Sequence, residues 1–277
     1  VTLAEAREMV DRAAEFRVLA KRASHLAART LHGADEALFF SIAAGLGYKN
    51  NAIPFLLAAQ RTGFSAACGA EGEARLFGMA GFLEPRTFDD ANETTRTYLK
   101  PLWDEWWKVR DGFARNVLPR RVWKLSGIRP SNHPHRRLGA LARVAREFAT
   151  LRKKIRDMGS KGFLEFFETL KHPYWSEHWN LSAEALDKPF ALVGSDRAAD
   201  LLINAYYPMR EPADAAKGLR ELRGPQPSGV LRRASVWLVG RQENSLMRSA
   251  WDQQGLLQLH RDFGAFSAVE ALEKIRA

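Results

Sequence analysis

The chain has 277 residues, with 42 lysines and arginines against 32 aspartates and glutamates, a formal net charge of +10. Hydrophobic residues make up 46% and charged residues 27%, and there is one cysteine, Cys68. This composition excludes intrinsic disorder, a collagen-like repeat and a disulfide framework, and its length suits one large domain or two small ones.

The opening residues, Val1-Thr2-Leu3-Ala4-Glu5, lack the basic and apolar regions of a signal peptide. The most apolar stretch, Ala37 to Tyr48, is shorter than the ~20 residues that cross a bilayer. With no internal disulfide to form, the expectation is a cytoplasmic protein with no membrane partner. A chain that starts without Met reads as a fragment or a processed product.

In chain order, Leu3 to Leu31 reads as one long amphipathic helix. Its apolar stripe runs through Met9, Ala13, Phe16, Leu19/Ala20, Ala23, Leu26/Ala27 and Leu31. Asp35 is placed to cap a second helix that Gly47 closes, Asn51 to cap a third, and Pro54 to open it before Gly63. Glu73–Leu83 has helical spacing and stops at Pro85. Asp89 or Asp90 starts a helix carrying Trp103, Trp106 and Trp107. After a loop punctuated by Pro119, Gly127, Pro130 and Pro134, Leu138–Met158 and Phe163–Leu170 read as helices separated by Gly159. Later candidates are Ala183–Leu186, Arg197–Tyr207 behind Asp196 as cap, a helix after Pro212, and Glu243–Phe263. Val230–Val239 suits a short strand or a helix. No fixed-period repeat stands out.

The basic charge is concentrated. Between Arg115 and Lys161 stand fourteen cations and two anions, Glu147 and Asp157, so the rest of the chain is slightly acidic. A phosphate polyanion is the commonest partner for such a run, because arginine forks match phosphate oxygens and counterion release favours binding. Trp123, His133 and His135 lie inside the run, and Trp103, Trp106 and Trp107 just before it, so stacking on unpaired bases is open beside core packing.

Other constellations carry less. His133-Pro134-His135 has no cysteine or carboxylate nearby to complete a metal set, and His172 and His178 match no zinc spacing. Cys68, among alanines and glycines, reads as a small buried thiol. Gly45-Leu46-Gly47-Tyr48-Lys49-Asn50-Asn51 lacks the spacing of a phosphate-binding loop. No Ser-His-Asp set or paired carboxylates occur in a catalytic register, and no cofactor or metal is expected.

Several segments together carry a family resemblance. They are Ala43–Asn51 with Pro54-Phe55, Leu76–Leu83, Trp123-Lys124 with Arg129-Pro130-Ser131-Asn132-His133-Pro134 and Arg137-Leu138, and Pro173-Tyr174-Trp175. Ile203-Asn204-Ala205 with Pro208, and Gln253–Leu259, extend them. The chain resembles the C-terminal two-thirds of a bacterial family catalogued as a domain of unknown function (number 2851). The resemblance implies a nucleic-acid context, since longer members carry an N-terminal β-rich region with an acidic motif like that of restriction-type nucleases; that region has no counterpart here. Relatives also tend to end in a cysteine cluster, which Phe263-Gly264-Ala265-Phe266 lacks.

The fold expected is mainly α: a single multi-helix domain of packed antiparallel helices over residues 1–277, with at most a minor β element. A sub-division is placed near 112–135 and a linker loop at 224–229. The leading function is a non-catalytic nucleic-acid-binding module that uses Arg120, Arg121, Lys124, Arg129, Arg136, Arg137, Lys153 and Lys154. Lys49, Asn51, Trp123, Asn132 and His133 form a second set, serving either a site or the structuring of the loop: Arg129 would tie loop carbonyls and Asn132 would cap the helix near Pro134. Two alternatives stay open. One is a scaffold docking an acidic protein or a missing N-terminal domain; the other is an enzyme holding an anionic substrate near Arg129 and His133.

Overall fold

A computed structural model describes residues 1–264. Its α-helices are α1 (Leu3–His32), α2 (Ala34–Thr62), α3 (Phe64–Cys68), α4 (Gly72–Met79), α5 (Pro85–Asp89), α6 (Glu93–Phe113), α7 (Pro134–Arg146), α8 (Phe148–Thr169), α9 (Ser195–Leu201), α10 (Pro212–Glu221), α11 (Gly229–Val239) and α12 (Ala250–Phe263). Among the described residues the β structure is one isolated bridge between Arg223 and Ser249. The mainly α expectation holds. The segment Ala265-Phe266 lies outside the described residues.

Contacts gather the chain into two compact units, one from Val1–Leu31 with the chain from Ile203 onward, the other from His32–Leu202. The divisions fall after Leu31 and after Leu202, so residues 112–135 and 224–229 each lie inside a unit. The 224–229 loop is pinned: Gly224 N–H donates to Arg248 O at 2.8 Å, and Gln253 Nε2 donates to Pro225 O at 2.7 Å.

In the first unit, Ala6, Met9, Val10 and Ala13 of α1 meet Leu231, Ala234 and Leu238 of α11 and Leu256 and Leu259 of α12. A Cβ on Gly255 would lie 2.1 Å from Val10 O, so α12 reaches the α1 backbone at that point only as glycine. This close approach fits the face of α1 that carries Ala6, Val10, Ala13 and Ala14. The expected stripe is corrected accordingly: Phe16, Leu19, Leu26 and Leu31 are exposed, and Ala6, Met9, Val10, Ala13, Ala14 and Val18 are buried. Val230–Val239 is helical, capped by Ser228 and ended by Gly240 in the left-handed conformation.

The second unit has an aromatic core. α4 packs on α6 and α7, and α2 packs on α7. Gly78 lies against the Trp106 ring and Gly139 against Trp175, whose indole stacks on Phe77 at 5.6 Å. Several local readings are corrected. The helix break expected after Gly47 is present, at Tyr48, and α2 resumes beyond it to Thr62; its N-cap is Gly33 rather than Asp35. Asn92, not Asp89 or Asp90, caps α6, and Pro85 opens the short α5. Gly194 rather than Asp196 precedes α9, which passes into a π turn at Leu202–Tyr206. Ala183–Leu186 is not helical: Leu186 N–H is spent on Glu177 O at 2.8 Å.

Candidate functional site

The segment between α6 and α7 has little helix of its own, only 3₁₀ turns at Ala114–Asn116, Arg120–Val122 and Pro130–Asn132. It is held by side chains and backbone at spaced anchors. Leu118 N–H donates to Met79 O at 2.8 Å, and Leu118 O comes so near Gly81, at φ 75°, that a Cβ there would lie 2.3 Å away. Trp123 buries its ring against Phe55 and Phe82 and donates Nε1–H to Ala80 O at 2.8 Å. Asn51 makes a two-way clasp on Lys124: its Nδ2 donates to Lys124 O at 2.9 Å and its Oδ1 accepts from Lys124 N–H at 2.8 Å. Asn51 is therefore a buried clasp rather than a helix cap.

Between the anchors the cations face solvent. Arg115, Arg120, Arg121, Lys124 and Arg129 are exposed, as are Lys49 beside the break in α2 and Lys153 on α8. Among the described residues, none of these seven is in an ion pair. Elsewhere in the run, four cations are paired with carboxylates, while Arg146 and Lys161 are exposed and in no ion pair among the described residues. Arg143 pairs with Glu147 at 2.6 Å and Arg152 with Asp35 at 3.0 Å, Arg156 lies 3.5 Å from Asp157, and Lys154 bonds to Glu165. Lys154 is thus half-buried and occupied, unlike its neighbour Lys153.

Arg136 and Arg137 require correction. They are 0% and 4% exposed and present nothing to solvent. Arg136 Nη1 donates to Trp175 O and, at 3.1 Å, to His178 O; Nη2 donates to Phe190 O at 2.8 Å and Ala191 O at 2.9 Å. Its guanidinium also lies over the Trp179 ring, 4.8 Å from the centroid. Arg137 donates to Leu192 O at 3.1 Å and to Asn132 Oδ1 at 2.9 Å. Burial lowers both pKa values, to about 10 for Arg136 and about 9 for Arg137, where Arg197 and Arg136 add repulsion. Tying loop carbonyls is thus the work of Arg136, not of the exposed Arg129.

His133, not Asn132, caps α7, its Nδ1 accepting from His135 N–H at 3.3 Å. Burial drives His133 down to about 4, opposed by a hydrogen bond with the Leu125 backbone and reinforced by Arg120. Burial also takes His135 well below its ordinary value, with His133 and Arg120 adding to the effect. Both imidazoles are neutral near pH 7, as buried structural groups. Among the described residues no three His, Cys, Asp or Glu side chains gather as a metal set. Cys68 is half-buried, and burial followed by Asp35 pushes its thiol up, away from the reactive thiolate.

Two groupings were not legible in the sequence. One joins α4, α6 and the loop after α8. Tyr98 OH donates to Glu73 Oε1 at 2.6 Å and accepts from Trp175 Nε1 at 2.7 Å, and His172 Nε2 lies 3.0 Å from Glu73 Oε1. Its members satisfy one another, as a stabilising network does. The other is Tyr48 with Arg197, brought together by the packing of α2 on α9. The signal for it was Tyr-Lys-Asn-Asn after two glycines, since a long helix with an interior break exposes whatever sits at the break.

Taken together, the arrangement offers many N–H donors and fixed positive charge to an anion, with no identified nucleophile or base beside them. No helix among the described residues is long and apolar enough to cross a membrane. A family model for a protein of unknown function (DUF2851) matches residues 3–222. No curated protein and no solved structure matches the chain.

Proposed function

Because the chain belongs to the DUF2851 family, a grouping that specifies no activity, we propose from its own surface chemistry that it is a nucleic-acid-binding module, non-catalytic in itself. The observation that carries this reading is the exposure of Arg115, Arg120, Arg121, Lys124 and Arg129 on one anchored segment, without carboxylate partners among the described residues. Like charges on one short segment repel one another, and a polyphosphate backbone relieves that repulsion while releasing its own counterions. Phosphate contacts of this kind give affinity without reading sequence. Lys153 and Lys49 extend the same chemistry; Arg136, Arg137 and Lys154 do not contribute to it.

The test is fluorescence-anisotropy titration of single-stranded DNA and RNA across a salt series. Arg120→Gln, Arg121→Gln, Lys124→Gln and Arg129→Gln combined are expected to weaken binding at least tenfold at low salt. They should also flatten the log–log salt slope by about 3, at roughly 0.7 per lost phosphate contact on a single strand. Binding that is absent, or insensitive to salt and to these four changes, overturns the proposal. Capture of an acidic protein instead would redirect the patch to the scaffold reading.

A further inference from the structure

Tyr48 interrupts α2 with φ 52° and ψ −158°, the only positive φ at a non-glycine position among the described residues. This region of backbone space is populated almost solely by glycine, because a Cβ there crowds the flanking peptide groups. The surroundings hold the break in place. A Cβ on Gly45 would lie 2.5 Å from the Leu201 side chain, one on Gly47 would lie 2.8 Å from the Ala52 backbone, and Asn51 is clasped to Lys124. Glycine at 48 would relax the chain, yet the position carries a large aromatic ring.

That ring is not core. Tyr48 is 44% exposed, and Arg197 of α9 lies over it with Cζ 3.8 Å from the centroid. Arg197 is itself steadied by Asp200 at 2.8 Å. One ring face is thus braced by a guanidinium, and the residue as a whole stays open to solvent. Lys49 and Asn50 beside it are exposed, and so is Lys124, whose backbone the Asn51 clasp brings to this point.

We propose that Tyr48, braced by Arg197, is a stacking platform for one unpaired nucleobase, with Lys49 and Lys124 receiving the adjoining phosphates. This rests on the nucleic-acid reading above and sharpens it toward single strands. Aromatic stacking accepts any base, because every base has a π-face, and a charged brace fixes the ring beforehand. Strain without a packing return is the expected mark of a residue kept for binding.

The experiment uses the whole chain and two probes of equal length: an oligodeoxythymidine carrying one 2-aminopurine, and a fully abasic oligonucleotide. The native protein is expected to quench the 2-aminopurine and to prefer the base-bearing strand by about tenfold, within the range of single-base stacking. Tyr48→Phe should keep both properties. Tyr48→Gly should lose both while still binding the abasic strand with the native salt slope, and should melt several degrees above Tyr48→Ala. Unchanged quenching and preference in Tyr48→Gly overturn the platform and leave the phosphate reading standing. Failure of the native protein to bind either strand overturns both. A Tyr48→Gly protein no more stable than Tyr48→Ala overturns the claim of strain.

Discussion

The first turn of α7 and the segment leading into it have the same kind of composition and opposite fates. Arg136 and Arg137 are sealed in the second unit, whereas Arg120, Arg121, Lys124 and Arg129 lie a few residues upstream in solvent. The difference lies in what each guanidinium meets. Arg136 finds four backbone carbonyls from residues 175–191, two of them on the buried Trp175 and His178, which without it would lack this donor. The upstream cations sit between anchors that leave their side chains outside. A run of positive charge is therefore two things at once: an internal staple for an irregular loop and a charged surface.

Breaking the staple should have the largest effect. Arg136→Met keeps the volume but strands the buried Trp175 and His178 carbonyls, a change expected to cost about 3–5 kcal/mol in urea unfolding. A loss below about 1 kcal/mol would mean that the loop around Trp175 and Phe190 is held by other contacts, and the contrast would collapse. Arg136→Lys should recover only part of the loss, because a single ammonium cannot span carbonyls arranged for a planar fork.

The next effect is a pH dependence at the junction of the two regions. Folded His133 stays neutral to about pH 4, whereas in the unfolded chain it takes up a proton near its ordinary value of 6.5. Its contribution is complete above about pH 6.5 and is lost as pH falls toward 4. The loss reaches roughly 3 kcal/mol, at about 1.4 kcal/mol per pKa unit. His135, shifted the same way, adds to the decline. His133→Asn preserves an oxygen able to cap α7 and removes the titration. Its unfolding free energy should fall less steeply between pH 7 and pH 4 than that of the native chain; parallel curves would show that His133 is not held neutral by burial.

Much of the fold was legible because helix periodicity is local. The long α1 follows from spacing, whereas Val230–Val239 suits a strand as well as the helix it forms, and the closing helix begins at Ala250 rather than Glu243. Which α1 face is buried does not follow from spacing. That face fits Gly255, more than two hundred residues away, whose lack of a side chain admits α12 to Val10. The site was legible in residue type and not in burial, for the same reason. Arg136 and Arg129 look alike in sequence, and only the return of residues 175–191 separates them. Asn51 read as a cap because Asn before a proline suits one, yet its two hydrogen bonds go to Lys124, seventy-three residues on. The strain at Tyr48 leaves no mark in the sequence because it arises from neighbours in space, and the two glycines before it suit the turn better by residue type.

The smallest effect on stability is expected where the effect on binding is largest. Arg120, Arg121, Lys124 and Arg129 form no ion pairs among the described residues, and replacing exposed charges away from special features moves stability by no more than about 0.5 kcal/mol each way. The four glutamine replacements together should leave the urea midpoint unchanged or slightly raised, since they remove mutual repulsion and break no clasp: Asn51 holds the backbone of Lys124, not its ammonium. A midpoint lowered by more than 1 kcal/mol equivalent would mean that these side chains hold the segment in place. They would then belong with Arg136, and weakened binding in the same variant would report a loosened loop rather than lost phosphate contacts. An unchanged midpoint beside a flattened salt slope assigns the loss of binding to charge alone.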